Sequence, residues 1–453
     1  VLLPFQDVIE MNEQPLTREH LNQVFVECER APARFLIGAE SEKFGVHRES
    51  GAPLGYGGSF SVCRVLEHLR ENHGWSPISE GHEAPVIGLK RDGASITLEP
   101  SAQLELSGAA LSDLHQIDEE ARTHLREIAP ISEEMGIAWL ATGFHPLATR
   151  DELPWVPKQR YPIMREYLPK MGRAGLDMMQ RTATVQGNFD WHSEEDAMKK
   201  MRLALKLSPL MQAWFSNAPF KEGSASDQMS LRAEVWRNMD PSRSGLIPSL
   251  WSENTSYSDY CEWALDAGMF LFRRDGAIIK NTGQTFRDFL ENGHGEYRAT
   301  LDDWRLHLTT LFPEVRLKNT LEVRSVDEVP PEVAVSVLSL WTGLLYDDQA
   351  LDAALALTSA WTFEVVESER DELVRRGLHA KVAGELGFSQ AEKVFELAFD
   401  GLSRRARTNP AGKDETIYLS QAKQILETRT LPSEKTRQLY ESTGSLIEAT
   451  RIN

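Results

Sequence analysis

The chain has little cysteine, no dense block of positive charge and no long apolar run, and each shortage removes a class of function. Its three cysteines, Cys28, Cys63 and Cys261, are odd in number and widely scattered. That pattern excludes a disulfide scaffold, offers no zinc spacing and fits a reducing cytosol. No apolar stretch approaches the roughly 20 residues of a membrane span. The opening VLLPFQDVIEMNEQP lacks the charged and apolar regions of a secretory signal, so a cytoplasmic location is expected. Lys and Arg number 49 against 68 Asp and Glu, a net charge of −19. A surface this acidic repels phosphate backbones and anionic lipid, so neither nucleic acid nor a membrane is an expected partner. Also missing are the P-loop pattern GxxxxGK, a GxGxxG opening a helix, HExxH and GxSxG, which sets aside the common nucleotide, zinc and nucleophile-elbow signatures.

What is present is enzyme-sized. At 453 residues with 41% hydrophobic and 26% charged residues, the chain has the balance of a globular protein with ample core. Phe35 to Val46 reads as a strand, and Ser59 as the cap of a helix over Phe60 to Asn72. Val86 to Leu89 and Ala94 to Leu98 flank Asp92-Gly93, a tight-turn pair, and so form a hairpin. Gln103 to Ser107 is a third strand, Leu111 to Met135 a helix closed by Gly136, and Ile137 to Phe144 a strand. Thr182 to Trp191 alternates with period two, as a half-buried strand does. Ser193 caps a helix running towards Phe215. Beyond Pro330-Pro331 the text is helical, including a helix over Glu434 to Ile447. Strands joined mainly by hairpins, then a helical tail, give the expectation of an α+β fold. The expected organisation is one large domain over 1–453, with a sheet-bearing active-site region at 34–330 and a helical region at 331–453.

The chemistry-bearing residues are carboxylates and arginines. Glu40 and Glu42 share one face of a strand. Two carboxylates about 4 Å apart repel by roughly 4 kcal/mol at an effective dielectric of 20, so a shared site calls for a cation such as Mg²⁺ or Mn²⁺. The alternative is a solvated strand face. Glu99 and Glu105 sit among Leu98, Leu104 and Leu106, as further metal-facing groups or as glutamates paired with arginine. Glu322 and Arg324 share a face of a short strand, pointing into one cavity or forming a local ion pair. Arg181, Arg232 and Arg243 are candidate carboxylate clamps.

Taken together, IGAESEKFG (37 to 45), GLKRDGASITLEPSAQLELSG (88 to 108), GLDMMQRTATVQGNFDW (175 to 191) and LTTLFPEVRLKNTLEVRSVD (308 to 327) resemble the plant-type glutamate–cysteine ligases and their bacterial members. The resemblance runs in order over nearly the whole chain. It implies a glutamine-synthetase-like fold, a curved, mainly antiparallel sheet wrapped by helices, that holds ATP, Mg²⁺ (or Mn²⁺) and glutamate. It further implies that Glu40, Glu42, Glu99, Glu105 and Glu322 face the metal, and that Gln186 and Arg324 take catalytic positions. Arg181, Arg232 and Asn188 then bind substrate. The implied reaction joins the glutamate γ-carboxylate to the amine of cysteine through γ-glutamyl phosphate, in a monomer or homodimer. A ligase using another amine, or a silent binding protein on the same fold, is the competing reading. Three positions depart from the family pattern: Ser41 stands where histidine is usual, Ser101-Ala102 replaces a glycine pair, and His145 replaces glutamine.

Overall fold

The computed structural model describes residues 16–452, so the opening segment considered above lies outside the described residues. Nine strands form the central sheet: β1 (Ile37–His47), β2 (Ser76–Ser79), β3 (Val86–Arg91), β4 (Ala94–Leu98), β5 (Leu104–Ser107), β6 (Ile137–Leu140), β7 (Val185–Phe189), β8 (Val315–Leu317) and β9 (Leu321–Val323). Their order is β8-β9-β7-β1-β5-β4-β3-β2, and β6 pairs with the far half of β1. Every pairing in this sheet is antiparallel. Asp92 and Gly93 join β3 to β4 with φ of 49° and 84°, the left-handed conformations that a two-residue hairpin turn requires.

Strand register decides what each face carries. Residues directly opposed in an antiparallel pair point to the same side. The pairs Thr97–Glu105, Glu105–Glu42, Glu40–Gln186, Asn188–Glu322 and Glu322–Arg316 therefore form one polar face across six strands. The opposite face presents Leu104, Leu106, Val185, Phe189, Leu321 and Val323, all buried.

Helices cover that apolar face. The ones that matter here are α1 (Val62–His73), α2 (Leu114–Met135), α3 (Gly175–Arg181), α4 (Glu194–Trp214), α5 (Leu231–Arg237), α6 (Pro331–Leu345) and α7 (Gly387–Arg405). Leu203 and Leu207 of α4 and Leu338 and Trp341 of α6 share a core with Val185 and Phe189. Val65 and Leu69 of α1 share another with Ile96 and Leu104. Each such side chain contributes about 1.5–3 kcal/mol by leaving water. Where α6 crosses α7, a Cβ on Gly401 would meet the Gly343 carbonyl at 2.0 Å, so only glycine permits that approach. No helix among the described residues is long and apolar enough to cross a membrane.

The α+β expectation holds, with three local differences. Helix α1 starts at Val62 after Ser61, not after Ser59, because the Gly55 amide donates to the Phe60 carbonyl and closes residues 56–60 into a bent loop before the extended Ser61 cap. The expected helix over 434–447 is two, Pro432–Thr443 and Leu446–Thr450, broken at Gly444 with φ 67°. Strand β7 is buried on both sides rather than half-buried, since its polar face lies against other polar groups instead of water.

Candidate active site

The polar face of β1 and β5 concentrates acid. Glu42 and Glu105 are direct cross-strand partners, each less than a tenth exposed. Burial, then the charges of Glu99 and Glu105, raises the Glu42 carboxyl well above the usual range. Burial, then Glu40 and Glu99, pushes Glu105 up to about 8, although Thr97 donates a hydrogen bond to it. Glu99 sits half-buried on the turn after β4. Four of the five expected metal-facing carboxylates thus act on one another electrostatically.

Those four fit a hard divalent cation. Burial and neighbouring charge raise the carboxyls of Glu42 and Glu105, and a cation beside them would offset that cost. Among the described residues, no three His, Cys, Asp or Glu side chains converge as a ready-made metal cage.

Glu322, also expected to face the metal, lies among three cationic side chains. It is fully buried, and Arg316 bonds both its oxygens at 2.8 and 3.1 Å. Lys318 adds a contact at 2.6 Å and Arg324 one at 2.8 Å. Four donors fill the roughly four lone-pair positions of a carboxylate. Burial alone would raise its carboxyl, but Arg316, Lys318 and Arg324 overcome that and hold it well below the usual range. Glu322 is thus the shared buried counter-ion of Arg316, Lys318 and Arg324.

Two amides tie the strands together. Asn188 Nδ2 donates to Glu40 Oε1 at 2.9 Å, while its Oδ1 accepts from Thr320. Gln186 Nε2 reaches Glu42 Oε1 at 3.4 Å, and its Oε1 accepts from Arg324 Nη1 at 2.9 Å. An unbroken polar chain therefore runs from Glu42 through Gln186 and Arg324 to Glu322.

The arginines divide into two kinds. Arg181, at the end of α3, is 2% exposed and pairs with Glu222 at 2.9 Å through Nη1 alone. Its Nε and Nη2 have no partner among the described residues, and its guanidinium lies over Phe144. Arg232, on α5, grips the carbonyls of Ser325 and Arg324 at 2.9 and 2.7 Å and leaves Nε unpartnered. Orphaned buried donors are costly, and an anionic ligand would satisfy them. Arg243 is structural: it pairs with Asp240 at 2.7 Å in full burial and bonds the Thr310 carbonyl.

Sequence reasoning missed Arg316, Lys318, Lys158, Asp327 and Glu328. Period-two alternation in VRLK already places Arg316 and Lys318 on one face, so that signal was available. Lys158 is buried and pushed down to about 8 by burial and Arg160, against the pull of Glu99 and Glu105. Nothing local marks Lys158, Asp327 or Glu328, which lie beyond any strand. A cavity of about 500 Å³ between α2, β6 and Arg451 contains none of these acidic groups.

Comparison with known proteins gives the family. The model of glutamate–cysteine ligase family 2 matches residues 36–451. Chloroplastic glutamate–cysteine ligase of Nicotiana tabacum is 39% identical over 442 residues, spanning 96% of this chain and 82% of that protein. Its Arabidopsis thaliana counterpart is 39% identical over 431 residues, 94% and 80% of the two chains. The crystal structure of glutamate–cysteine ligase from Francisella tularensis in complex with AMP superposes with a TM-score of 0.52 at 14% identity, covering 92% of this chain and 87% of that one; at that identity it speaks for the fold alone. A sheet with its acids and arginines on one buried face, and sequence agreement over nearly the full length, place this chain in glutamate–cysteine ligase family 2.

Proposed function

We propose that this chain is an ATP-dependent ligase that joins the γ-carboxylate of glutamate to the amine of cysteine, giving γ-glutamylcysteine, ADP and phosphate. The observation that carries the reading is the buried Glu42–Glu105 pair on the same face as Arg324, within a chain of this family. Phosphoryl transfer needs position and charge neutralisation more than a protein nucleophile, and this face supplies both.

Glu40, Glu42, Glu99 and Glu105 are the residues that would hold Mg²⁺ or Mn²⁺. Bound there, the cation neutralises nucleotide phosphate charge. Arg181 and Arg232, with their unpartnered N–H groups, hold substrate carboxylates and leave the γ-carboxylate to react. A γ-carboxylate oxygen attacks the γ-phosphorus of ATP and ADP departs, giving γ-glutamyl phosphate. The unprotonated amine of cysteine then attacks the acyl carbon, and phosphate leaves with the C–O bond electrons. Arg324, fixed by Glu322 and Gln186, lies beside the acidic face to stabilise charge on the transferring group. Cytoplasmic placement belongs to the same proposal and is supported by three unpaired thiols.

The test is turnover of the purified chain with ATP, Mg²⁺, glutamate and a panel of amines, reading phosphate release and product mass. Cysteine is expected to give the γ-glutamyl dipeptide. Phosphate release with another amine but none with cysteine would reassign the acceptor, and no ATP turnover with any amine would reject the ligase reading.

A further inference from the structure

We propose that Glu328 is a positioning residue that sets the Glu42 carboxylate through the backbone and side chains of β1. The inference rests on the ligase reading above. Glu328 is 1% exposed, and it spends both oxygens on donors of the carboxylate strand. Its Oε1 accepts from Ser41 Oγ at 2.9 Å and its Oε2 from the Glu42 amide at 3.1 Å. Ser41 is one of the positions that depart from the family pattern, and here it has a built partner.

Glu328 is itself held from two sides. Its amide donates to the Ala183 carbonyl at 3.0 Å, and its carbonyl accepts from Asn217 Nδ2 at 3.1 Å. The preceding residues extend the same strap. Asp327 accepts from the Asn217 amide at 2.7 Å and from Ser230 Oγ at 2.8 Å. Ser230 caps the helix that carries Arg232. The Val326 carbonyl accepts from Thr184 Oγ1 at 2.6 Å, and the Thr184 amide donates to Glu42 Oε2 at 3.1 Å. Residues 324–328 therefore link Arg324, Arg232 and both the amide and the carboxylate of Glu42. Groups that orient a ligand in this way typically change metal affinity by about 10- to 100-fold when removed.

A purely structural glutamate would be expected to pair with a cation in contact range. Lys43, the next charged residue along β1, instead places its Nζ 3.5 Å from His124 Nε2, behind the sheet. Glu328 feels Lys43 as its strongest charged neighbour but has no cation within salt-bridge distance among the described residues; both of its oxygens are taken by β1 donors, which is the geometry of an aligning group.

The experiment uses the full chain and three variants: Glu328→Gln, Ser41→Ala and the double variant. Mn²⁺ affinity is read by electron paramagnetic resonance without substrates, kcat and each KM by steady-state turnover, and folding by thermal melting. Glu328→Gln is expected to weaken Mn²⁺ binding about tenfold and to raise the KM for magnesium nucleotide similarly, leaving the KM for cysteine unchanged. Ser41→Ala should shift the same quantities in the same direction by less, and the double variant should match Glu328→Gln, because the Ser41 bond is one of the two that Glu328 makes to β1. Mn²⁺ affinity and nucleotide KM unchanged in folded Glu328→Gln, or every KM moving together with the melting temperature, would overturn the proposal. If Glu328→Gln does not fold, Ser41→Ala decides alone: unchanged Mn²⁺ affinity there overturns it. A wild-type chain that neither binds Mn²⁺ nor turns over ATP sinks the ligase reading itself, an outcome distinct from active wild type with unaffected variants.

Discussion

Glu42 on β1 stands directly opposite Glu105 on β5, two carboxylates facing each other across an antiparallel pair with almost no access to water. Cross-strand neighbours of like charge destabilise a sheet, and burial with neighbouring acids raises both carboxyls.

Glu42→Gln should therefore separate activity from folding. Replacing one of two crowded buried acids by an amide is expected to leave the melting temperature unchanged or slightly raised, while turnover falls by ~10² or more, the scale of losing a group that stabilises transferring charge. Thermal melting beside steady-state kinetics checks this. A fully active variant rejects the ligand role, and an unfolded one shows that the carboxylate is needed for structure.

Glu322→Gln should behave in the opposite way. Its carboxylate compensates Arg316, Lys318 and Arg324 in a dry setting, and breaking a buried ion pair from one side costs about 3–5 kcal/mol. Urea unfolding is expected to show a loss of this order. Stability equal to wild type would contradict the anchoring role and favour a direct part in metal binding.

Arg181→Lys preserves charge but removes the planar fork whose Nε and Nη2 are buried without a partner among the described residues. A bidentate carboxylate contact cannot be replaced by an ammonium. The KM for glutamate is expected to rise roughly tenfold, on the scale of one charged hydrogen bond, with little change in kcat. A drop in kcat at constant KM would place the residue elsewhere in the mechanism.

Stability should fall in acid through two histidines. Burial, assisted by Arg181, pushes His145 down to about 3, and burial pushes His307 down to about 3. The unfolded chain takes up these protons near pH 6.5 and the folded one does not, so stability is lost as pH drops from 6.5 towards 3. The slope is up to about 1.4 kcal/mol per pH unit for each group. His307→Gln, compared with wild type by urea unfolding, should flatten the slope between pH 6 and 4. Parallel slopes would show that His307 takes up its proton in the folded chain.

The strands bearing Glu40, Glu42, Gln186 and Asn188 were legible because strand alternation is local: a residue's face follows from its neighbours two places away. The same holds for the Asp92-Gly93 turn and for the cap of α4 at Ser193, whose hydroxyl accepts from the Asp196 amide. Ordered blocks of motif carried the family. The roles of Glu322 and Glu328 were not legible. Glu322 reads identically as ligand or anchor until Arg316 and Lys318 are seen to close on it. Glu328 follows a strand end, where periodicity stops.

Sequence by itself determined that acids and arginines lie on chosen faces of short strands, since backbone geometry at each residue settles that. Tertiary structure alone decided which of those faces meet. Pairing β1 with β5 and β7 sets Glu42 against Glu105 and Glu40 against Gln186, and charges separated by scores of residues affect one another only once the chain brings them within a few ångströms in a poorly screening interior.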